Sequence, residues 1–159
     1  MPDIKFIAAI DDKLGLGKNG KLPWDLPSDR KYFRDHIKQG PVVTGWKTFA
    51  SHNFKPYGEG KNILLTRRDT EAIPGMWVVH DAGHYFETLK EDVWVVGGGE
   101  IFKTALPYAT HLYLTRVKGN FDADVFFPEF EDLFKLTSEE PAQTENGVEF
   151  TYQVWERKA

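Results

Sequence analysis

Cysteine is absent from this 159-residue sequence, which excludes disulfide bonds and metal sites built on thiolates. No apolar run approaches the ~20 residues that a membrane-spanning helix needs. An excess of basic residues is also lacking: 20 Lys and Arg stand against 24 Asp and Glu, a formal net charge of −4, whereas a nucleic-acid-binding domain presents a basic face. The histidines show no spacing typical of a metal site, and we interpret them as surface or ordinary structural residues. They are His36, His52, His80, His84 and His111.

The residues that are present are typical of a folded globular protein. Hydrophobic residues make up 41% and aromatic residues 14%, enough for a chain of this length to bury a core. No linker, repeat or low-complexity tract interrupts the chain, so we predict one domain spanning residues 1–159. The first residues lack the order of a signal peptide. We expect a cytoplasmic monomer that binds a small molecule, with neither a membrane nor a nucleic acid as its partner.

Strands and helices alternate along the sequence. Residues 4–10 form an almost wholly apolar run, typical of a strand buried on both faces. Pro27 stands where a helix can begin, and Gly40-Pro41 ends that helix. Further strands are predicted over residues 41–44, 61–66, 76–79, 93–96, 112–115 and 150–155, and further helices over residues 47–51, 84–90 and 100–106. The pattern implies an α/β fold: a central, mostly parallel, twisted sheet flanked by about four helices, with antiparallel strands at its C-terminal edge.

Two glycine turns each follow a predicted strand and precede a predicted helix. In Gly97-Gly98-Gly99, consecutive glycines let the backbone approach a bulky anion, and the following helix N-terminus favours negative charge. Thr44-Gly45-Trp46-Lys47-Thr48 has a similar design, with a lysine and a threonine hydroxyl able to reach a phosphate. Either turn alone is compatible with an ordinary strand-to-helix connection. Together they indicate a ligand with more than one phosphate, such as a dinucleotide, although neither is the GxGxxG fingerprint of a Rossmann domain.

Thr66-Arg67-Arg68 ends another predicted strand near the same edge of the sheet. Two guanidinium groups suit an extra 2′-phosphate, so this segment favours NADP(H) over NAD(H). A solvated charge pair on a loop is the alternative for these arginines. The two glycine turns favour the first interpretation.

Asp29 lies in the first turn of the helix that begins at Pro27, on the face shared by Phe33 and Ile37. An acidic residue in a first turn is often only a favourable partner of the helix dipole. Here its neighbours are apolar, with Trp24 close in sequence and the apolar first strand in the same domain. A carboxylate in such surroundings pairs with a cationic ligand or holds a proton. Asp29 is therefore our candidate for the residue that carries the proton chemistry.

Many short segments resemble dihydrofolate reductase in order and spacing. They are Ile7-Ala8-Ala9-Ile10, Gly17, Leu22-Pro23-Trp24-Asp25-Leu26-Pro27, Asp29, Phe33, Pro41-Val42-Val43-Thr44-Gly45, Lys47-Thr48-Phe49, Lys61-Asn62-Ile63-Leu64-Leu65 and residues 95–102, 112–115 and 122–128. The segments span almost the whole chain, and the total length also fits. Each segment is weak alone, and their joint order is highly specific.

This resemblance implies NADPH-dependent reduction of 7,8-dihydrofolate to 5,6,7,8-tetrahydrofolate by hydride transfer, an oxidoreductase activity of one-carbon metabolism. It implies that the Asp29 carboxylate accepts hydrogen bonds from N3 and the 2-amino group of the pterin and assists protonation of N5, with an ordered water. Thr115 would hold that carboxylate, and Trp24 would position the water. The implied catalytic set is Leu22, Trp24, Asp29 and Thr115.

The resemblance also assigns residues to the two ligands, and it implies no metal. The substrate would contact Ile7, Ala8, Ala9, Asp29, Arg30, Phe33, Thr48, Val96, Phe102 and Thr115. The cofactor NADPH would contact Ala9, Leu16, Gly17, Gly20, Lys21, Leu22, Gly45, Trp46, Lys47, Thr48, Thr66, Arg67, Arg68, Gly97, Gly98, Gly99, Glu100, Ile101 and Phe102. The loop over residues 15–22 would be a lid, whose glycines supply the freedom to open and close.

The substrate end departs from the family pattern at two positions. Gly60 stands where the family usually has an arginine that clamps the α-carboxylate of the substrate, and a glycine cannot make that bidentate pair. Arg30 stands where an apolar residue is usual, and we hypothesise that it takes over the carboxylate contact. The alternative is that Arg30 bends to solvent, and Arg34, Lys55 and Lys61 are further candidates. Antifolate binding should therefore differ from that of typical relatives.

The cofactor end departs at Trp46, where many relatives carry an arginine that helps to hold the 2′-phosphate. Lys47, Arg67 and Arg68 remain to provide the charge, and Trp46 is able to stack on the adenine. Phe102 replaces a tyrosine of some relatives, which removes a hydroxyl dipole near the nicotinamide but keeps the ring contact. A preference for NADPH is therefore expected.

Two other functions remain open from the sequence. A related NADPH-dependent reductase of the same fold, acting on another pterin or on a ribosylated pyrimidine, would share the glycine turns. Asp29 and Trp24 together argue against that class, and Gly60 argues for it. A non-catalytic folate- or nucleotide-binding module would have no need of Asp29, Thr115 and the glycine lid.

Overall fold

A computed structural model describes residues 2–159. Its helices are α1 (Pro27–Ile37), α2 (Trp46–Ser51), α3 (Ala82–Glu87) and α4 (Gly99–Ala105), with a 3-10 turn at Leu106–Tyr108. Its strands are β1 (Ile4–Ile10), β2 (Gly15–Gly17), β3 (Val42–Gly45), β4 (Asn62–Leu65), β5 (Trp77–Val79), β6 (Val93–Gly97), β7 (His111–Val117), β8 (Val125–Phe126), β9 (Phe134–Glu139), β10 (Gln143–Glu145) and β11 (Val148–Arg157). Among these residues no helix is long and apolar enough to cross a membrane.

Nine of these strands form one sheet with β1 near its centre. β1 lies between β6 and β7 and is parallel to both, with Phe6 opposite Val95 and Leu112. From β6 the sheet continues in parallel through β3 and β4 to β5, and from β7 it continues antiparallel to β11, which also pairs with β9 and β10. The predicted α/β fold, mostly parallel with an antiparallel C-terminal edge and four helices, is confirmed.

The core packs around Phe6 of β1, which is completely buried. The centroid of its ring lies 5.0 Å from that of Phe102 on α4 and 6.1 Å from that of Phe127. Burying an aromatic side chain of this size stabilises a fold by roughly 1.5–3 kcal/mol. This aromatic group therefore fixes α4, and with it the glycine turn that precedes α4, against the centre of the sheet.

Helix α1 begins where the sequence predicts, with Pro27 as its first residue. Proline suits this position because its φ is already helical and the N–H that it lacks would have no partner within the helix. Ile37 is buried and Phe33 is half-buried, so the predicted apolar face packs inward. The helix ends before Gly40, whose φ of +42° favours glycine, and Pro41.

Four strands were not predicted, and helix α3 differs from the prediction at both ends, since it ends at Glu87 rather than at Lys90. Helix α3 begins at Ala82, earlier than expected, because the Asp81 side chain caps it by accepting a hydrogen bond from the His84 N–H at 3.0 Å. The loop after β1 contains β2, which pairs with β8, and neither strand was predicted. β9 and β10 were not predicted either, since only Phe134 of β9 is buried and the strand shows no alternation.

Candidate active site

One cleft of about 1960 Å³ opens at the carboxyl ends of the parallel strands. Its walls come from the ends of β1, β3, β4 and β6, the first turns of α2 and α4, one face of α1 and the loop between β1 and α1. Every residue predicted for the site lines this cleft except Gly97, which is buried. Over residues 2–159 no group of three His, Asp or Glu side chains is placed to hold a metal ion.

Asp29 lines the cleft from the first turn of α1. Thr115 on β7, which is 2% exposed, donates a hydrogen bond of 2.6 Å from Oγ1 to Asp29 Oδ1. Burial raises the pKa of the Asp29 carboxyl, and the negative charge of Glu145 raises it further. The Thr115 hydrogen bond and the positive charge of Arg30 lower this pKa but do not cancel the effect of burial. A carboxyl group with a raised pKa keeps its proton to a higher pH than a free aspartate does.

Trp24 contributes an unpaired hydrogen-bond donor to the same cleft. The residue is 7% exposed, and its ring packs edge-on against Phe121 with centroids 5.2 Å apart. Its Nε1–H is buried and has no partner in the described part of the chain. A buried unpaired donor costs ~1–3 kcal/mol. This N–H is therefore available to a water molecule or a ligand atom, as the predicted role requires.

Small and apolar side chains form the floor of the cleft, namely Ile7, Ala8 and Ala9 of β1 and Val96 of β6. Ile7 and Ala9 project from the same face of the strand because side chains alternate along it. Phe33 on α1 forms part of the facing wall. A floor of this kind accommodates a planar ring system close to Asp29.

The Gly97-Gly98-Gly99 turn joins β6 to α4, and its last two residues line the cleft. Gly97 has a φ of +123°, which favours glycine. A Cβ atom at Gly98 would lie 2.8 Å from Thr48 Oγ1, and one at Gly99 would lie 2.9 Å from a side-chain carbon of Val125. The turn therefore brings bare backbone to the surface of the cleft at a place where side chains cannot be accommodated.

Positive charge collects at the other end of the cleft, on Lys47, Arg67 and Arg68. Within residues 2–159 none of these three has a carboxylate oxygen within 4.0 Å of its side-chain nitrogens. The Arg68 guanidinium lies 4.5 Å from the centroid of the Trp46 ring, on one face of the indole that was predicted to stack on adenine. Three unpaired cations in one cleft attract an anionic ligand.

The predicted lid, residues 15–22, is held by contacts with a second loop. β2 pairs with β8, and the Asn19 N–H donates a hydrogen bond of 2.9 Å to Asp124 Oδ2. At the base of the lid, the buried Asp11 carboxylate accepts hydrogen bonds from three backbone N–H groups. Leu22 at the other end lines the cleft and is 55% exposed. The lid thus has a fixed base and an apolar tip that remains open to a ligand.

The chain resembles one family of known proteins throughout its length. Residues 3–157 match the family model described as dihydrofolate reductase. The chain belongs to the dihydrofolate reductase family. It is 32% identical to the dihydrofolate reductase of Bacillus subtilis over 160 residues, and the match covers 98% of this chain and 95% of that one. It is 34% identical to the dihydrofolate reductase of Rattus norvegicus over 179 residues, and the match covers 96% of each chain. It matches a structure of dihydrofolate reductase from Enterococcus faecalis complexed with NADP(H) with a TM-score of 0.86 and 27% identity, covering 99% of this chain and 97% of that one.

Packing enforces the glycine at position 60, where the resemblance led us to expect an arginine. A Cβ atom at this position would lie 2.8 Å from the carbonyl carbon of Gln39 and 3.2 Å from the Cα atom of Gly40. The adjacent Glu59 N–H donates a hydrogen bond of 2.9 Å to the carbonyl oxygen of Lys38. The loop thus packs against the chain just beyond α1, and position 60 cannot hold an arginine without moving backbone.

Two of the candidate cations for the substrate tail line the cleft, namely Arg30 and Arg34. Arg30 forms an ion pair with Asp25, and its side chain is 51% exposed. Arg34 has no carboxylate partner among the described residues. Lys55 and Lys61 do not line the cleft, and Lys61 Nζ lies 3.6 Å from Glu91 Oε2.

The cleft is also lined by residues that were not assigned to it from the sequence. They are Tyr32, Ile37, Ser51, His52, Tyr57, Gly58, Leu65, Val79, His80, Asp81, Ala82, Gly83, Thr104, Asp124 and Val125. Tyr32 is three residues after Asp29, so helical spacing could have identified it as a neighbour of Asp29 on the same face of α1. The rings of His52 and Tyr57 stack with centroids 4.0 Å apart, and the Tyr57 ring lies 5.9 Å from that of Phe33. Sequence periodicity could not have assigned His52 and Tyr57 to the cleft, because His52 lies at the end of α2 and Tyr57 lies in a loop.

Proposed function

We propose that this chain catalyses the NADPH-dependent reduction of 7,8-dihydrofolate to 5,6,7,8-tetrahydrofolate. Membership of the dihydrofolate reductase family supports both the reaction and the cofactor. The observation that carries the proposal is the Asp29–Thr115 hydrogen bond in the same cleft as the two glycine turns and the unpaired cations.

Asp29 provides the acid–base chemistry in this proposal. The reaction adds a hydride to C6 and a proton to N5 of the pterin, so that the double bond between them becomes single; NADPH supplies the hydride when bound. The Asp29 carboxylate accepts hydrogen bonds from N3 and the 2-amino group and raises the proton affinity of the ring, and N5 receives its proton from an ordered water. Thr115 holds the carboxylate, Trp24 Nε1–H holds the water, and Leu22 closes over the ring.

The side chains at the cationic end fit a dinucleotide that carries an additional phosphate. Arg67 and Arg68 offer planar groups of donors suited to a phosphate, and Lys47 offers a third charge. Gly98 and Gly99 bring bare backbone to the cleft, where a pyrophosphate can approach closely. This donor set favours NADPH over NADH.

The glutamate tail of the substrate is held by Arg30 and Arg34 in this proposal. Both line the cleft, and because the Arg30–Asp25 pair is exposed it stabilises by only ~0–1 kcal/mol, so a substrate carboxylate can displace Asp25. Arg30→Leu and Arg34→Leu should each raise the KM for dihydrofolate by about tenfold, the effect of one charge-assisted hydrogen bond. The KM for 6-methyl-7,8-dihydropterin, which lacks both the benzoyl group and the glutamate and so carries no carboxylate, should not change.

Lys31→Leu is the matched control, because Lys31 is exposed on the same helix and does not line the cleft. It should leave both KM values unchanged. If the dihydrofolate KM stayed at the wild-type value in both arginine variants, neither residue would hold the tail.

The reaction itself is tested by following NADPH absorbance when dihydrofolate is added to the purified chain. Loss of absorbance in the wild type, and its near absence in Asp29→Asn, is the expected result. Tight binding of NADPH and dihydrofolate without turnover would identify a non-catalytic module. Turnover with another pterin or a ribosylated pyrimidine, and none with dihydrofolate, would identify the related reductase.

The chain acts as a cytoplasmic monomer of one domain, without nucleic acid, in this proposal. Its net charge of −4 supports the absence of a nucleic-acid partner. Sedimentation at a mass of 18.3 kDa is the expected result, and a concentration-independent dimer would contradict it.

A further inference from the structure

Helix α1, which carries Asp29, begins without a capping side chain of its own. Leu26 at the N-cap position makes no side-chain hydrogen bond, and Pro27 has no N–H to donate. The Ser28 N–H instead donates to Glu145 Oε1 at 2.9 Å, and Ser28 Oγ donates to Glu145 Oε2 at 2.5 Å. Glu145 is the last residue of β10 and lies 117 positions further along the chain. A carboxylate from the C-terminal hairpin therefore takes the place of the usual N-cap.

The same hairpin also forms a hydrogen bond with the segment that precedes α1. Asn146 Nδ2–H donates a hydrogen bond of 2.9 Å to the backbone carbonyl oxygen of Asp25. The turn between β10 and β11 thus contacts both Asp25 and Ser28, on either side of Leu26 and Pro27. Two neighbouring residues of one turn fix the entry into α1, one residue away from the carboxyl group that carries the chemistry.

Four other groups surround the Asp29 carboxyl besides Glu145. Thr115 on β7 donates a hydrogen bond to it, and Arg30 on α1 brings a positive charge. The rings of Tyr32 on α1 and Tyr152 on β11 stack with centroids 4.0 Å apart, and burial raises the pKa of both phenols, so they are uncharged near neutral pH. Glu145 is therefore the nearby negative charge, and negative charge favours a bound proton.

We propose that Glu145 is a positioning residue for the proton step: through Ser28 it fixes the turn that presents Asp29, and its negative charge keeps a proton on the unit formed by Asp29 and the bound pterin. This inference rests on the proposed function, in which Asp29 and the pterin act together. The two groups share one apparent titration, so the direction of the effect is the same whether the proton resides on the carboxyl or on the ring.

The pH profile separates the charge of Glu145 from its role as a cap. In Glu145→Gln an amide oxygen can still accept from the Ser28 N–H, while the charge is lost. We expect the midpoint above which hydride transfer slows to move to lower pH by about half a unit, since the charge is partly screened by solvent. At a pH above the midpoint this is an about threefold slower rate. Ser28→Ala removes one hydrogen bond and keeps the charge, so it should not move the midpoint to lower pH.

Glu149→Gln is the matched control, because Glu149 is an exposed carboxylate of the same hairpin whose partner is Lys118, with Nζ and Oε2 3.7 Å apart. It should leave the midpoint unchanged. Single-turnover hydride transfer measured across pH for the four proteins tests the proposal, with the NADPH dissociation constant and Tm as checks that each variant is folded. An unchanged midpoint in Glu145→Gln, or an equal shift in Glu149→Gln, would overturn it.

A second measurement separates this proposal from the reaction itself. If the wild type fails to reduce dihydrofolate, the proposed function is wrong, and the titration of the ¹³C-labelled Asp29 carboxyl in the free protein still tests the electrostatic link. That titration should move to lower pH in Glu145→Gln and stay in place in Glu149→Gln. Identical titrations in wild type and Glu145→Gln would overturn the link independently of any turnover.

Discussion

At the scale of single residues, the Asp29 carboxyl group lowers the stability of the fold, although the proposed function needs it. Its carboxyl group is buried, which disfavours the charged form, and the Thr115 hydrogen bond and the charge of Arg30 offset that effect only in part. A group whose ionisation is penalised in the folded state lowers the free energy of unfolding wherever the solvent pH would ionise it. This unfavourable group lines the cleft on the first turn of α1, where the proposed proton chemistry requires it.

We expect Asp29→Asn to stabilise the protein at neutral pH and to remove most of its activity. The amide oxygen can still accept from Thr115, whereas the penalty for ionisation disappears. Because the folded state raises the pKa of this carboxyl above 3.8, the wild type loses stability as the pH rises from 3.8 through the raised value, and the amide does not. The gain in unfolding free energy should be present at neutral pH and should vanish well below pH 3.8. Turnover should fall at least ~100-fold.

Urea denaturation of both proteins at neutral and strongly acidic pH measures the stability part of this prediction. A gain of equal size at both pH values would contradict the electrostatic explanation and point to better packing of the amide.

Thr115→Val should move the pH–rate midpoint upward, opposite to the shift expected for Glu145→Gln. The substitution keeps the shape of the side chain and removes the hydroxyl that stabilises the charged carboxylate, so the pKa of Asp29 rises further. Unfolding free energy should fall by about 1 kcal/mol. Thr137→Val, which removes a threonine hydroxyl on β9 that donates to Val154, is the control and should leave the midpoint in place. A shift to lower pH in Thr115→Val would contradict this assignment.

Among single residues, the presence of Asp29, Trp24 and Thr115 in one cleft was predictable, because each stands in a segment that resembles the dihydrofolate reductase family. Glu145 was not predictable, because its contact with Ser28 joins positions 117 apart and neither residue belongs to a motif. A hydrogen bond of this kind follows from the pairing of β10 with β11, which only the tertiary structure shows.

At the scale of elements, the β2–β8 pair and Asp124 hold the predicted lid over residues 15–22. Asp124→Ala removes the acceptor for the Asn19 N–H, and we expect residues 15–22 to open more often. Amide hydrogen exchange at Asn19 should become several-fold faster, and turnover should fall because the lid excludes water less well. Glu129→Ala, an exposed acidic residue beyond β8 without a hydrogen bond in the described chain, should change neither quantity. Equal exchange in wild type and Asp124→Ala would show that the β2–β8 pair holds the lid by itself.

The strands richest in buried residues followed from the sequence, whereas the exposed strands β8 and β9 did not. β1, β3, β4 and β6 are rich in buried apolar residues, and such runs are the clearest strand signal. Both residues of β8 are exposed, and five of the six residues of β9 are exposed, so no alternation marks these strands. They exist because neighbouring strands offer them hydrogen-bonding partners, and that information is not local.

At the scale of the whole molecule, binding of the cofactor should appear as a gain in stability. A ligand at a hundredfold excess over its dissociation constant adds about 2.7 kcal/mol, which for a domain of this length raises Tm by roughly 5–10 °C. At the same concentration NADH should raise Tm by less than NADPH does. Arg67→Gln and Arg68→Gln should each reduce the difference between the two Tm shifts. The exposed Lys90→Gln is the control and should leave that difference unchanged.

A thermal melt followed by both tryptophan fluorescence and far-ultraviolet circular dichroism provides this measurement. The two signals should give one coincident transition, as a single domain requires. Equal shifts with NADPH and NADH would contradict the assignment of the cationic end to the 2′-phosphate.

Gly60 has a consequence for the substitutions that this protein can accept as well as for the proposed contact with the substrate tail. The backbone at Gln39 and Gly40 occupies the place of a Cβ atom at position 60. Gly60→Arg alone would therefore displace this backbone, and the new side chain would not bind a carboxylate in an undisturbed fold. The effect of that substitution therefore depends on earlier change in a neighbouring segment, which is epistasis with a visible steric cause. An arginine therefore cannot be introduced at position 60 by one substitution without loss of stability. In the proposed function, recognition of the tail can vary instead at Arg30 and Arg34 of α1, which line the cleft and are exposed.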